Sequence, residues 1–211
     1  MTGKVGTCSR QARAVGLGLV LALAGSGCAG DDGEAQVAPV TGRGPAITYV
    51  ALGGTETSGD DLDDPLRDSW SQLFFRMLPR RAVHVNLAGE SSTAAGALRA
   101  QVPAAVELEP TLATVWLGPD DAVQGTPPER FERDLAEILR TLRAGGDVRV
   151  LVVEGPPVGA GEHGPYADQI RAAAGETGAE VVTLGEDVLP TATEAQPAIA
   201  AAVAEVLGPI S

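Results

Sequence analysis

Hydroxyls, carboxylates and two histidines are the groups in this chain that could do chemistry. Thr55 stands in Gly53-Gly54-Thr55-Glu56-Thr57-Ser58-Gly59, and Ser91 stands in Gly89-Glu90-Ser91-Ser92-Thr93. Asp120 and Asp121 follow Gly118-Pro119, and Thr193 comes three residues before Gln196-Pro197. A hydroxyl attacks a carbonyl usefully only when a base beside it takes the proton. His84 and His163 are the two histidines of the chain and so the candidate bases. His84 lies inside the apolar run Val83-His84-Val85 and reads as a structural, hydrogen-bonded side chain. His163 lies in the Gly/Pro-rich stretch 156–165 and is the candidate replacement base for Thr55. Glu56, Glu90, Asp120, Asp121 and Glu154 are oxygen donors of the kind that hold Ca²⁺ or Mg²⁺. They lack the ordered spacing of a calcium loop, so the expectation is solvated loop acids and no metal. Gly53-Gly54 is not part of a G-x-G-x-x-G fingerprint, so no nucleotide cofactor is expected.

These residues need a scaffold that brings distant segments together. Five apolar runs supply one: Ile47–Leu52, Ala82–Ala88, Leu112–Leu117, Val148–Val153 and Glu180–Leu184. They are continuous rather than alternating, as parallel strands covered on both faces should be. They recur about every 30 to 36 residues, which is the spacing of strand–helix units. Asp64-Pro65 predicts a helix start, with Leu66, Trp70, Leu73, Phe74 and Met77 on one apolar face. Thr126-Pro127-Pro128-Glu129 reads as a capping box before Phe131, Leu135, Ile138, Leu139 and Leu142. Pro197 opens a last helix carrying Ile199, Val203, Val206 and Leu207. Trp70 and Trp116 are expected in the core. The predicted fold is a three-layer α/β/α domain on a mostly parallel, five-stranded sheet. Ligands in such sheets sit beyond the carboxyl ends of the strands. Thr55, Ser91, Asp120 and His163 all fall there.

The loops carry a resemblance. Tyr49-Val-Ala-Leu-Gly-Gly-Thr-Glu-Thr-Ser-Gly59 resembles the first block of the SGNH (GDSL-type) esterases and lipases, Gly-Asp-Ser followed by x-Thr-x-Gly. Val85-Asn-Leu-Ala-Gly-Glu-Ser-Ser-Thr93 is similar to the second block, which holds an oxyanion-hole Gly. Ala113-Thr-Val-Trp-Leu-Gly-Pro-Asp-Asp121 is similar to the third, Gly-x-Asn-Asp. Thr193-Glu-Ala-Gln-Pro197 stands where the family has Asp-x-x-His-Pro. The resemblance spans residues 46–207 and implies a flavodoxin-like fold.

It also implies a set of departures. Gly54 replaces the Asp of Gly-Asp-Ser, and Thr55 replaces the nucleophilic Ser. Ser91 falls at the oxyanion Gly and Asp120 at the oxyanion Asn. Thr193 and Gln196 replace the Asp and His of the last block. Thr55 keeps a hydroxyl, but its methyl restricts χ1. Gln196 has no proton-accepting nitrogen. An ionised Asp120 would oppose the negative charge that an oxyanion hole must stabilise. Loss of the base alone costs about 10⁴ in rate by analogy with triad knockouts. The expectation is a hydrolase fold without hydrolase chemistry, binding a glycan, an acyl group or a protein partner. Two alternatives stay open: an esterase using Thr55 and His163, and a structural component of an envelope complex.

The start of the chain reads as an address. Lys4, Arg10 and Arg13 precede the apolar run 14–24, and Gly25-Ser26-Gly27-Cys28 follows. This is the pattern of a secretory signal, and the run is too short to span a bilayer. The segment resembles the lipobox of bacterial lipoproteins, although Gly25 stands where that motif usually has Leu. The expected organisation is a signal peptide at 1–27, a flexible tether at 28–44 and the domain at 45–211. Lipid on Cys28 would anchor the chain to the outer face of the cytoplasmic membrane. Composition agrees with one ordered domain: 211 residues, 44% hydrophobic, 20% charged and 3% aromatic. Removing the leader takes the formal charge from −13 to −16, since it carries three basic residues and no acidic one. That charge argues against a nucleic-acid partner.

Overall fold

The computed structural model describes residues 47–90, 92–156, 164 and 166–209. Cys28, Ser91 and His163 lie outside the described residues, as do the expected signal and tether. Five strands form one sheet: β1 (Ile47–Gly53), β2 (Ala82–Asn86), β3 (Leu112–Trp116), β4 (Arg149–Glu154) and β5 (Glu180–Thr183). Their order is β2-β1-β3-β4-β5, and every pair is parallel. The predicted runs match these strands to within one or two residues. The order reverses between β1 and β3, which makes their carboxyl ends the switch-point crevice.

Alternate residues along each strand feed two cores, as the period of two demands. Val50, Leu52, Val115, Val150 and Val152 face α4 (Ala94–Glu107), α6 (Pro128–Ala144) and α7 (Ala167–Thr177). Tyr49, Ala51, Trp116, Leu151 and Val153 face α3 (Trp70–Met77) and α8 (Gln196–Leu207). The result is a three-layer α/β/α domain. Trp70 and Trp116 are buried, with ring centroids 5.9 Å apart. Buried aromatic area of this size is a large share of a core otherwise made of aliphatics.

Two helix starts differ from expectation. The helix predicted from Pro65 through Met77 is two pieces, α2 (Pro65–Asp68) and α3, broken at Ser69 with φ −62° and ψ 144°. The break turns Leu66 outward, where it is 84% exposed. Asp64 precedes Pro65 but makes no capping hydrogen bond. Pro127, not Thr126, is the residue before α6, and no side chain caps that end. The Thr126 amide instead donates to the Asp121 backbone carbonyl at 2.9 Å.

His84 sits on the edge strand β2 between two rings. Tyr49 stacks on it at 4.6 Å and Phe75 at 5.4 Å. Its Nδ1 is 3.1 Å from Gln72 Oε1, and its buried Nε2 has no partner. Burial without a neighbouring anion lowers its pKa from 6.5 to about 4. At neutral pH the imidazole is uncharged in both folded and unfolded chains. Below about pH 6.5 the unfolded chain takes up a proton that the folded chain refuses until about pH 4. Folding stability therefore falls across that window, by about 2–3 kcal/mol for this group. Urea denaturation of wild type and His84→Phe between pH 7.5 and 4 should show the wild type losing that much more than the variant.

Candidate functional site

Gly53 ends β1 where the chain has no room for a side chain. A Cβ there would lie 2.5 Å from Thr57 Oγ1 and 2.5 Å from the Trp116 carbonyl oxygen. Gln101, on α4 and only 6% exposed, grips this glycine from across the loop. The Gly53 amide donates to Gln101 Oε1 at 3.0 Å, and Gln101 Nε2 donates to the Gly53 carbonyl at 2.9 Å. The same Nε2 donates to Ser92 Oγ at 2.8 Å. One buried amide thus ties the end of β1 to the loop after β2. The sequence reading missed Gln101, because nothing in its spacing marks a side chain that satisfies a strand end.

From Gly53 the chain turns through Gly54 into a single helical turn, α1 (Thr55–Ser58). Thr55 is half-buried at its start, and among the described residues its hydroxyl has no hydrogen-bond partner. Beyond β3, Gly118 adopts φ 123°, a conformation open to glycine, and turns the chain into the short helix α5 (Pro119–Val123). This turn sends Asp120 and Asp121 in different directions. Asp121 is fully buried, and its Oδ2 accepts the Ala94 amide at 2.8 Å. It therefore caps α4 together with Thr93, whose hydroxyl accepts the Gly96 amide. Burial raises its pKa, and the Ala94 amide opposes the rise. Asp120 points to the crevice instead. A Cβ on Gly54 would collide with its Oδ2, and Glu56 Oε2 lies 3.5 Å from the same point. Burial raises the pKa of both carboxyls. The charges acting on Glu56 are the negative ones of Asp120 and Asp61, which push in the same direction. The nearby Ser92 backbone N–H opposes the rise at Asp120.

Gln196 is 1% exposed at the start of α8. Its Oε1 accepts the Trp70 amide at 2.9 Å. Its Nε2 donates to the carbonyls of Pro190 at 2.6 Å and Ala192 at 3.2 Å. The Trp70 indole N–H in turn donates to the Glu56 carbonyl at 2.9 Å. Gln196 is a joint between α3, α8 and the loop before α8. Thr193 lies exposed in a 3₁₀ turn (Thr193–Ala195). Of the other acids, Glu90 is exposed, whereas Glu154 is buried and clamped by Arg171 through bonds of 2.9 and 2.6 Å. No group of three His, Cys, Asp or Glu side chains suited to a metal occurs among the described residues.

So the structure gathers Gly54, Thr55, Glu56 and Asp120 at the β1/β3 crevice and sets Gln196 behind it as a structural tie. A match to the GDSL-like lipase/acylhydrolase family extends over residues 51–202. The chain belongs to that family. No curated protein sequence matches it. Among solved structures, TesA superposes with a TM-score of 0.63 at 23% identity, covering 76% of this chain and 97% of that one. The esterase EstA from Pseudoalteromonas sp., in a structure inhibited by monoethylphosphonate, gives 0.62 at 19% identity, covering 76% and 96%. Axe2, an acetylxylan esterase from Geobacillus stearothermophilus, gives 0.65 at 11% identity, covering 78% and 95%. At these identities the likeness concerns the fold, and the site must be argued from its own residues.

Two outcomes follow from these contacts. Gln196→Ala strands the buried Trp70 amide and two carbonyls, so unfolding free energy should fall by about 2–4 kcal/mol in urea. Gly54→Asp forces two carboxyls into one volume and should cost about 1–3 kcal/mol. In an Asp120→Gly background the same substitution should cost under about 1 kcal/mol, a coupling that a double-mutant cycle reads directly.

Proposed function

We propose that this GDSL-family chain is an exported lipoprotein whose domain no longer hydrolyses esters and instead binds a ligand at the β1/β3 crevice. Gln196 carries the reading. It stands where the family resemblance calls for a base, and its side-chain oxygen and nitrogen are both spent on backbone groups. Among the described residues the Thr55 hydroxyl has no hydrogen-bond partner, and a hydroxyl without an adjacent base is a weak nucleophile. Asp120 brings a carboxylate to a crevice where acyl transfer would build negative charge.

The crevice chemistry also narrows the ligand. Glu56 and Asp120 offer acceptor oxygens and repel anions. Hydroxyl-bearing ligands suit such acceptors, and a glycan is the class that this supports first. The acetylxylan esterase among the structural neighbours acts on a molecule of that kind. An acyl group or a protein partner is the alternative occupant. Anchoring rests on Cys28 and the leader before it. No helix among the described residues is long and apolar enough to cross a membrane. Lipid on Cys28 would hold the domain at the outer face of the cytoplasmic membrane, with residues 29–44 as tether.

The full chain should hydrolyse p-nitrophenyl acetate no faster than Thr55→Ala. Turnover that vanishes in Thr55→Ala and in His163→Ala would replace this reading with that of an esterase using a relocated base. Radiolabelled palmitate should enter the wild type and not Cys28→Ser when both are produced in a bacterial host. Equal labelling would sink the anchor.

A further inference from the structure

One end of the domain runs against the charge of the whole. From Ser69 to Gly89 the sequence carries Arg76, Arg80 and Arg81 and no acidic residue, in a chain of formal charge −13. The acid just before this run, Asp68, is paired with Arg67 through two bonds of 2.9 Å. All three arginines are exposed. Arg76 is in the last turn of α3, and Arg80 and Arg81 lie in the bend that leads into β2. Beside them Phe74, Met77, Leu78, Pro79, Ala204 and Leu207 line an apolar groove of about 350 Å³ between the ends of α3 and α8. Met77 is 57% exposed. The whole of α8 adds a single charge, Glu205.

This is also the end at which the chain arrives from Cys28. Ile47, the first residue of β1, pairs with Ala82, the residue after Arg81. Neighbouring strands lie about 4.8 Å apart, so the chain enters the domain beside the arginines. Cys28 is 19 residues before Ile47. A flexible coil of that length has an r.m.s. span of about 25 Å. A lipid on Cys28 would therefore hold this end of the domain close to a bilayer.

We infer that the Arg76–Arg81 segment and the groove beside it form a docking surface for a bilayer rich in anionic phospholipid. This rests on the proposed anchor at Cys28 and gives the anchored domain an orientation. The guanidinium groups meet headgroup phosphates, and Met77 enters the interfacial layer. Each arginine near such a surface raises membrane partition about fivefold. The acids Glu129, Glu132 and Glu137 lie on α6, which packs on the opposite face of the sheet. At physiological salt the Debye length is about 8 Å, so they do little to cancel the attraction. A second copy of the chain fits this surface less well, because it brings the same three arginines. Seven residues of β1 put Gly53 about 20 Å from Ile47, so docking here leaves the β1/β3 crevice facing away from the membrane.

The test puts one environment-sensitive nitrobenzoxadiazole label on the lipidated protein made in a bacterial host. Cys8 leaves with the leader and Cys28 carries the lipid, so Met77→Cys or Val123→Cys supplies the thiol. Val123, 88% exposed on α5 beyond the carboxyl end of β3, is the control position. On phosphatidylglycerol vesicles the label at 77 should brighten and shift to the blue, and the label at 123 should not. The change should be lost on phosphatidylcholine vesicles and in about 1 M salt. Arg76→Glu with Arg80→Glu should lose it while the protein stays on the vesicles. Equal changes at 77 and 123, equal changes on the two lipids, or none at 77 on a lipidated, vesicle-bound protein overturn the inference and leave the anchor standing. Brightening at 77 that follows protein concentration without vesicles marks a second copy as the occupant and overturns it too. If Cys28 proves free of lipid, the anchor falls, and the Cys8→Ser, Cys28→Ser form labelled at 77 decides the surface. Brightening of that form on phosphatidylglycerol keeps the docking surface, and a dim label overturns it.

Discussion

The crevice depends on the grip of one buried amide on one glycine. Gln101 satisfies both backbone groups of Gly53 and reaches on to Ser92. Gly53 itself admits no Cβ, because Thr57 and the Trp116 carbonyl close on it from two sides. A strand end held this tightly leaves the next two residues little choice of path. Gly54 and Thr55 emerge at a fixed height above the sheet, with the loop after β2 tied to the same point. The two backbone groups of Gly53 and the Gln101 amide satisfy one another, and a satisfied buried pair of this kind makes a loop rigid rather than weak. The side chains around the crevice can change while the backbone that presents them stays in place.

What has changed is charge and connectivity. Thr55 stands at the first position of α1, its hydroxyl unbonded among the described residues, while two acids lie beside Gly54. Their pKa values rise because burial penalises charge. On the far side, Gln196 has been drawn into the joint that holds α3 and α8. That joint reaches the crevice indirectly, since the Trp70 indole it supports donates to the Glu56 carbonyl. Gln196 is thereby part of the frame that carries the crevice.

The sheet was legible because burial on both faces demands long apolar runs, and five such runs at strand–helix spacing admit few arrangements. Helix ends were less legible. Proline at 65 and 128 marked both starts within a residue or two, yet Ser69 adopts an extended conformation that no local pattern announces. Leu66 therefore left the face assigned to it. The helix α4 went unremarked because its core contacts come mainly from alanines, which give a faint apolar stripe. At the site, the family blocks located Thr55, Asp120 and Gln196 in the chain. They did not reveal where each side chain would point. Asp120 and Asp121 are neighbours of the same type, and only the turn at Gly118 decides that one caps a helix while the other enters the crevice. Gln101 and Trp70 were invisible as site residues for a related reason: they act on backbone groups, and backbone groups leave no mark in a sequence.

The substitutions are not independent of each other. Gly54 and Asp120 share one volume, so the absence of a side chain at 54 is the condition for a carboxylate from 120 to lie there. Gln196 makes three hydrogen bonds to backbone groups, two as donor and one as acceptor, a set that the two nitrogens of an imidazole could not supply. A change at one of these positions is therefore resisted by contacts made at another. Gly54, Asp120 and Gln196 are thus held by one another and by the frame, so the proposed loss of ester chemistry would involve linked positions rather than single ones.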